Sequence, residues 1–308
     1  MSQGPIHLLD GGMGRELKRS GAPFRQPEWS ALALIESPEH VLQAHEAFIQ
    51  AGARIVTTNS YAVVPFHLGQ TRFAEQGRAL ADRAGRLARQ AASQSAVAVR
   101  VAGSLPPALG SYRPDLFDHQ ASVAIHQELI AGLRAHVDVW LAETQSSTAE
   151  VLAAAQALGE LSKPLWVSYT LIDDADRAPR LRSGESVADG VRCAISVGAE
   201  AVLFNCSQPE VMGAALEQAQ AVLGGIEQRV QLGVYANAFP PVSEEAEANS
   251  TLLDIRADLG PGSYLNWART WIAAGATIIG GCCGIGPEHI EQLHRHIGIE
   301  PGASLHDG

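Results

Sequence analysis

The sequence has few cysteines, fewer basic than acidic residues and no long apolar run, and each scarcity excludes a class of protein. Four cysteines in 308 residues do not make a disulfide-rich secreted domain. The 22 basic residues are outnumbered by 33 acidic ones, and a net charge of -11 argues against the basic face that nucleic-acid binding requires. No apolar run approaches the roughly 18 residues needed to span a membrane.

The beginning of the chain also lacks a targeting signal. Residues 1–5 contain neither the basic segment nor the apolar stretch of a secretory leader. Hydrophobic residues make up 46% of the chain and charged residues 18%, which suits one large domain or two small ones with an ample core. These features predict a cytoplasmic protein that acts on small molecules, with no nucleic acid and no membrane as partner. The oligomeric state is left open.

Two cysteine motifs stand where predicted strands end. Cys282 and Cys283 follow the apolar run 276–279 and are flanked by glycines, while Cys206 follows the apolar run 201–203. Because adjacent side chains on a strand point to opposite faces, both sulfurs of the Cys282-Cys283 pair can face one point only if the strand breaks. The flanking glycines permit that break.

A zinc ion is one interpretation of these thiols. Zn²⁺ favours thiolate ligands, and three protein ligands leave the open fourth position of a catalytic site. Ordinary buried thiols remain an alternative, as does a Cys282-Cys283 disulfide, although neighbouring cysteines close a strained ring. The spacing matches no zinc finger. Cys193, within a predicted helix, is interpreted as a small buried apolar residue.

Eight short apolar segments alternate with helical segments along the chain. This alternation is typical of a parallel sheet with crossover helices, either a doubly wound sheet or a closed barrel. Eight units without a phosphate-binding fingerprint favour a single-domain (β/α)8 barrel over residues 1–308, with 298–308 as a frayed tail. The predicted strands are 6–9, 53–58, 97–101, 137–141, 164–169, 199–204, 230–235 and 276–280.

The connections between these strands carry their own expectations. Residues 21–38 are predicted to be irregular, with Ser37 capping a helix whose first residue is Pro38. A polar, mobile loop is predicted over 172–184, and a Pro- and Glu-rich loop over 239–260.

Polar residues cluster just past the predicted strand ends, which form one rim in a barrel of this kind and hold its active site. These rim residues are Asp10, Asn59, Glu143, Cys206, Asn237 and the Cys282-Cys283 pair. Asp10 precedes Gly11 and Gly12, an arrangement that suits an amino acid, with the carboxylate facing the ammonium and the glycine amides facing the carboxyl group. A plain tight turn is the alternative. A dinucleotide fingerprint is disfavoured because the glycine spacing differs.

Together these pieces resemble the homocysteine S-methyltransferase family. The shared motifs, in the family order, are Asp10-Gly11-Gly12-Met13-Gly14-Arg15-Glu16-Leu17, Thr57-Thr58-Asn59-Ser60-Tyr61, Glu143-Thr144, Phe204-Asn205-Cys206-Ser207 and Gly280-Gly281-Cys282-Cys283-Gly284. The last two are the most specific. The family fold is a (β/α)8 barrel, in agreement with the strand count.

The resemblance implies a site and a reaction. It implies that Cys206, Cys282 and Cys283 bind Zn²⁺ and that the thiol of homocysteine takes the fourth position. Asp10, the Gly11 and Gly12 amides and Glu143 match positions that hold the amino acid end of homocysteine, and Tyr61 matches a tyrosine near the methyl donor. The implied reaction moves a methyl group from a sulfonium donor, S-methylmethionine or S-adenosylmethionine, to homocysteine, giving methionine.

The sequence departs from the family in two segments, which put the donor in doubt. These segments are 62–67 and 236–240, both expected on the rim that faces the donor. A betaine-dependent or other thiol methyltransferase is therefore an alternative, and a zinc hydrolase on the same barrel is a more distant one. Since methyl transfer to a thiolate needs no general base, His7, His67 and His289 are interpreted as non-catalytic.

Overall fold

A computed structural model of the chain describes residues 5–240 and 255–297. All neighbouring strands of its eight-stranded sheet pair in parallel, in the order β1-β8-β7-β6-β5-β4-β3-β2. The strands are β1 His7–Leu8, β2 Ile55–Thr57, β3 Arg100–Leu105, β4 Val139–Gln145, β5 Leu165–Tyr169, β6 Ala201–Asn205, β7 Gln231–Tyr235 and β8 Ile278–Ile279. The predicted single-domain (β/α)8 barrel is confirmed.

Helices follow the strands on the outside of the sheet. In the described residues they are α1 Met13–Arg19, α2 Ala31–Glu36, α3 Pro38–Gln50, α4 Pro65–Leu68, α5 Gln70–Gln94, α6 His119–Leu133, α7 Thr148–Leu158, α8 Val187–Ser196, α9 Pro209–Leu223, α10 Pro261–Ala273 and α11 Pro287–His296, with a short 3-10 helix at Pro114–Leu116. Several begin at side-chain caps. The Asp118 carboxylate accepts a hydrogen bond from the Ala121 amide, and Ser147 forms a capping box with Glu150.

The first strand closes the barrel by pairing on both of its sides. His7 pairs with Ile278 of β8. On the other side Leu9 forms a parallel bridge with Ile55, and the Arg54 amide donates to the Leu8 carbonyl at 2.9 Å. Closure removes the unpaired sheet edges and gathers all eight carboxyl ends of the strands at one rim.

The core has two parts, as a closed barrel requires. The larger part fills the layer between the strands and the surrounding helices. The smaller part fills the inside of the barrel, and Cys282 packs against it from the rim. Its members are Leu9, Ile55, Ala102, Val139, Leu141, Trp166, Ala201, Leu203, Tyr235 and Ile278. The interior is packed with side chains, so small-molecule chemistry is confined to the rim.

Two strands differ from their predicted positions. The third strand runs over Arg100–Leu105 instead of 97–101, because pairing with β2 starts at Arg100 and Val97 is 40% exposed in the preceding connection. The fourth strand continues to Gln145, so Glu143 lies inside β4 and not beyond it. Both strands reach further toward the rim than their apolar runs alone indicated.

The connections around α2 and α3 also differ from expectation. The segment 21–38 is not wholly irregular, since it contains α2. Pro38 does occupy the first position of α3, but the Ser37 side chain makes no capping hydrogen bond, and its buried hydroxyl has no partner. The loop after β5 is held by antiparallel bridges between Leu171 and Leu181 and between Arg180 and Ser186. It is therefore a paired hairpin, whereas a mobile loop was expected.

The first half of the first departure from the family pattern does not face the rim. Ala62, Val63 and Val64 are buried in the outer core, with at most 2% of their surface exposed. Most of the loop predicted over 239–260 and the tail predicted from 298 lie outside the described residues. Within residues 5–240 and 255–297, none of the helices combines the length and apolar character of a membrane span.

Candidate metal and substrate site

The cysteine segment after β8 turns sharply in close contact with its neighbours. Gly284 has a φ of +87°, which favours glycine, and a Cβ at Gly281 would lie 2.1 Å from the Ile285 side chain. The backbone is held on both sides, because the Gly281 amide donates to the Asp10 carbonyl and the Cys282 amide donates to the Ala236 carbonyl, each at 2.9 Å. The predicted strand break at the cysteine pair is confirmed.

Cys206 lies past the end of β6 in a left-handed backbone conformation. Its φ is +50°, a conformation that costs a non-glycine residue about 1–3 kcal/mol and persists only where the surroundings enforce it. The Cys206 amide donates to the Tyr235 carbonyl at 3.3 Å, and its carbonyl accepts from the Tyr112 hydroxyl at 3.1 Å. These bonds hold the Cys206 backbone next to β7.

The three sulfur atoms form one cluster, as the resemblance implied. The Sγ atoms of Cys206, Cys282 and Cys283 all lie within 4.8 Å of one another. Cys206 and Cys282 are joined as a disulfide, with Cα atoms 5.6 Å apart, and Cys283 is a free thiol. Burial raises the pKa of the Cys283 thiol to about 11, and the Arg15 guanidinium acts in the opposite direction.

The donor set of this cluster fits zinc. A tetrahedral ion with Zn–S bonds near 2.3 Å separates its sulfur ligands by about 3.8 Å, so small side-chain shifts in the reduced protein suffice. In the described part of the chain, this is the one group of three or more His, Cys, Asp or Glu side chains close enough to share an ion. The cluster contains no oxygen or nitrogen ligand, which matches the preference of a soft-ligand site.

Glu143 lies beside the thiols in a buried, hydrogen-bonded setting. Ser104 donates its hydroxyl to one carboxylate oxygen, and the Tyr235 hydroxyl donates to the other at 3.4 Å. Burial raises the pKa of Glu143 to about 7, although both hydrogen bonds act in the opposite direction. A substrate ammonium group would favour the ionised form, because an adjacent positive charge lowers the pKa of a carboxyl group.

Asp10 is tied to the end of β2. Its carboxylate accepts from the Thr57 amide at 2.8 Å and from the Thr57 hydroxyl at 3.1 Å. Burial raises the pKa of Asp10 to about 8, and the Thr57 hydrogen bonds oppose this rise. The raised pKa favours the neutral form of Asp10, and an approaching positive charge would favour the ionised form.

The Gly11 and Gly12 amides were expected to face the carboxyl group of a substrate, and the structure agrees with this only in part. The Gly12 amide donates to the Ile285 carbonyl at 2.9 Å. It is therefore not available to a substrate carboxyl group. Its backbone instead packs on the cysteine segment, since a Cβ at Gly12 would lie 2.6 Å from the Cys282 carbonyl oxygen. Gly11 is also closely packed, because its Cβ would lie 2.3 Å from the Ile285 carbonyl oxygen.

The two predicted asparagines are buried and bonded to backbone. The Asn59 side chain donates to the Ser30 carbonyl at 3.1 Å, which fixes the segment before α2 to the rim. The backbone N–H of Asn237 donates to the Ser207 carbonyl at 3.1 Å, and the side-chain oxygen of Asn237 accepts from the Phe239 backbone amide at 3.2 Å. Both contacts shape the rim itself.

Aromatic residues surround the thiols on the side of β3. The hydroxyls of Tyr61 and Ser111 are hydrogen-bonded at 2.5 Å. Burial holds the pKa of Tyr61 well above its ordinary value, so its hydroxyl stays neutral. Near the second departure from the family pattern, the Arg15 guanidinium lies 5.2 Å from the centre of the Phe239 ring. The rim therefore offers neutral aromatic side chains and the Arg15 guanidinium close to the thiols.

The sequence analysis did not identify several residues that hydrogen-bond to the residues of the site. Asn205 accepts from the Thr144 amide at 3.1 Å and donates to the Thr144 hydroxyl at 2.8 Å, which joins the ends of β4 and β6. Ser104 and Tyr235 were missed as partners of Glu143. Asn205 and Tyr235 end their strands and Ser104 is the last but one residue of β3, so the strand-end rule could have identified them once the strand limits were correct.

The histidines interpreted as non-catalytic, and Cys193, have contacts or positions outside the thiol cluster. His67 contacts the Pro27 carbonyl at 2.9 Å, and His289 contacts the Leu259 carbonyl at 3.0 Å. His7 lies in β1, where burial lowers its pKa. Cys193 is half-buried on α8, and its thiol points to the Thr148 carbonyl at 3.7 Å, away from the cluster.

The buried carboxyl groups predict a pH dependence of stability. Asp10 and Glu143 have ordinary pKa values of 3.8 and 4.5 and folded values of about 8 and 7. Between these limits the folded protein retains protons that the unfolded chain releases, so the free energy of unfolding falls as pH rises. The expected slope is about 1.4 kcal/mol per pH unit for each group.

Urea unfolding of the reduced, zinc-free protein at pH 5, 6 and 7 tests this dependence. Asp10→Asn and Glu143→Gln remove one titrating group each, and each variant should show a shallower decrease than the parent. An identical pH slope in parent and variants would contradict the raised pKa values.

Comparison with known proteins agrees with the family resemblance of the sequence motifs. The family model described as homocysteine S-methyltransferase matches residues 7–297. A homocysteine S-methyltransferase of Escherichia coli (strain K12) is 31% identical over 94% of each chain. A selenocysteine Se-methyltransferase of Brassica oleracea var. italica is 26% identical, over 96% of this chain and 89% of that protein.

Solved structures show the same likeness. The metallated form of the homocysteine methyltransferase MmuM from Escherichia coli superposes with a TM-score of 0.75 at 29% identity, covering 95% of this chain and 96% of that one. Its oxidized form also gives a TM-score of 0.75, over 94% of this chain and 95% of that one. The likeness thus extends over nearly the whole barrel.

Proposed function

The chain belongs to the homocysteine S-methyltransferase family, and we propose that it moves a methyl group from a sulfonium donor to the sulfur of homocysteine, giving methionine. The observation that carries the proposal is the cluster of three cysteine sulfurs within 4.8 Å at the rim of the barrel. A thiol acceptor needs a site that makes it a thiolate at neutral pH, and this cluster is suited to that task.

Zinc is the cofactor that the proposal requires. Cys206, Cys282 and Cys283 would hold the ion once the disulfide is reduced. Bound there, Zn²⁺ lowers the pKa of a coordinated thiol and presents it as a thiolate nucleophile. The structure of the relative MmuM is described as metallated, which supports a metal in this family.

The amino acid end of homocysteine is assigned to the acidic residues of the rim. Glu143 would bind the ammonium group, because it is buried beside the thiols and gains its charge when a cation approaches. Asp10 would act in the same way from the end of β1. The Gly11 amide remains the candidate donor to the carboxyl group on this turn.

Alignment of sulfur, methyl carbon and leaving group is the remaining task of the protein. In-line displacement requires the two substrates to be held in a fixed relative orientation. Tyr61 would face the cationic donor by a cation–π contact. Its hydroxyl is hydrogen-bonded to the Ser111 hydroxyl at 2.5 Å, which holds that end of the side chain in place. The donor loses its positive charge as methyl transfers, and no proton needs to move on the enzyme.

Two variations on the substrates remain candidates. Betaine is the alternative donor, since the segment 236–240 departs from the family pattern. A selenol is an alternative acceptor, because one relative is a selenocysteine Se-methyltransferase. A zinc hydrolase is not supported, because the cluster contains cysteines alone and the family match is to methyltransferases. A purely structural zinc would need a fourth protein ligand, and Cys193 lies outside the cluster.

Methionine formation from homocysteine is the direct test. Zinc-loaded protein is given S-methylmethionine, S-adenosylmethionine, betaine or methyl-tetrahydrofolate in parallel, and methionine is measured by chromatography. Turnover is expected with a sulfonium donor and not with the other two. If protein that retains its zinc forms no methionine from any of the four, the proposed reaction is wrong.

A further inference from the structure

A buried ion pair lies next to the thiol cluster in the hairpin between β5 and α8. The Arg182 guanidinium donates to the Asp173 carboxylate at 2.9 Å, and the two side chains are only 5% and 1% exposed. Burying an ion pair costs desolvation energy, and well-packed apolar residues are often at least as stabilising. Stability alone therefore does not account for this pair.

The ion pair has contacts that lead to Gln208 and to the Cys206 carbonyl. Asp173 accepts a hydrogen bond from the Gln208 amide at 2.8 Å, two residues after Cys206. On the other side the Arg182 guanidinium lies 4.7 Å from the centre of the Tyr112 ring, and the Tyr112 hydroxyl donates to the Cys206 carbonyl at 3.1 Å. Two short chains of contacts thus lead from the ion pair to the Cys206 backbone.

The residue between these two contacts is fixed by the same hairpin. The Ser207 hydroxyl contacts the Thr170 hydroxyl at 3.1 Å and accepts from the Leu171 amide at 2.7 Å. Cys206 itself has the left-handed φ of +50°, a conformation that persists only where the surrounding contacts enforce it. Those contacts come from the hairpin and from Tyr112.

We propose that Asp173 and Arg182 are positioning residues for metal binding: through Gln208 and Tyr112 they hold the backbone that aims the Cys206 sulfur at Cys282 and Cys283. The inference rests on the proposed function, because it assumes that the three thiols bind zinc. Residues that orient metal ligands without touching the ion typically contribute 10- to 100-fold to metal affinity.

A second ion pair with the same kinds of partner serves as a control, although its side chains, Arg89 and Asp138, are 34% and 37% exposed. At the opposite end of the barrel, the Asp138 carboxylate accepts from the Arg89 guanidinium at 2.6 Å and from the Val101 amide at 2.8 Å. Asp138 thus has the same two kinds of partner as Asp173, but it precedes β4 at the amino end of the strand. Asp173→Asn and Asp138→Asn remove the same charge and keep an oxygen that can accept from the backbone amide.

Zinc affinity is measured by competition with a chromophoric chelator, on reduced proteins whose folding is verified by circular dichroism. Asp173→Asn is expected to bind zinc about 10- to 100-fold more weakly than the parent, whereas Asp138→Asn should match the parent. The visible spectrum of the Co²⁺-loaded protein should change for Asp173→Asn alone. If Asp173→Asn does not fold, Arg182→Lys keeps the charge but loses the planar contact with Tyr112, and the same loss of affinity is expected.

Three outcomes would overturn the inference. Equal zinc affinity of the parent and the folded Asp173→Asn or Arg182→Lys variant would show that the ion pair does not position Cys206. Equal weakening by Asp138→Asn would show a general loss of stability. Absence of zinc binding by the parent itself would reject the zinc site along with the inference, so the two failures are distinguishable.

Discussion

Cys282→Ser is expected to remove zinc binding and methionine formation together. Cys282 supplies one of the three sulfurs within 4.8 Å, and a serine hydroxyl is a poor ligand for a soft-ligand site. Without the ion, an alkyl thiol with a pKa near 8.5 is about 3% ionised at pH 7, so the lost thiolate alone reduces the rate about 30-fold. Loss of the orientation of the sulfur lowers it further.

Cys193→Ser is the matched control for this change. Cys193 is the remaining cysteine of the chain, half-buried on α8, with its thiol directed at the Thr148 carbonyl. Zinc content, measured by atomic emission, and methionine formation should both stay at the parent level in this variant. Retained methionine formation by the zinc-free Cys282→Ser variant would contradict the proposed role of the metal.

Glu143→Gln is expected to raise the KM for homocysteine about 10- to 100-fold while zinc affinity stays unchanged. A hydrogen bond between charged groups contributes about 1.5–3 kcal/mol, and the amide cannot supply the negative charge that the substrate ammonium requires. Because burial raises the pKa of Glu143 to about 7, the parent enzyme should also gain kcat/KM as pH rises through 7. The glutamine variant should lose that part of the pH profile.

Glu150→Gln provides the comparison. Burial raises the pKa of Glu150 to about 7 as well, but its carboxylate accepts from the Ser146 and Ser147 amides at the start of α7. This variant should change stability and leave the KM for homocysteine as in the parent. A similar KM in Glu143→Gln and the parent would contradict the assignment of Glu143 to the ammonium group.

Much of the site followed from the positions of polar residues after apolar runs. Cys206, Cys282 and Cys283 were placed at strand ends because each cysteine motif follows an apolar run, and the flanking glycines permit the strand to break at the Cys282-Cys283 pair. In a parallel barrel all carboxyl ends of the strands meet at one rim, so residues far apart in sequence were expected to converge. The structure brings the three sulfurs together as that argument required.

The partners of the site residues could not be predicted in the same way. Ser104 reaches Glu143 because β3 extends to Leu105, and an apolar run that began at Val97 indicated an earlier strand. The pairing of Asp173 with Arg182 depends on a hairpin in which one bridge joins residues ten apart, Leu171 and Leu181. A polar segment without periodicity carries no signal for such a fold.

The hydrogen bond from the Gly281 amide to the Asp10 carbonyl has a consequence for how the protein is made. It crosses the seam between the first and last strands, and Cys282 follows Cys206 by 76 residues. A nascent chain that has left the ribosome only through β7 carries a single ligand of the cluster and an open sheet. The thiol cluster can therefore form only after β8 and the cysteine segment that follows it have been synthesised.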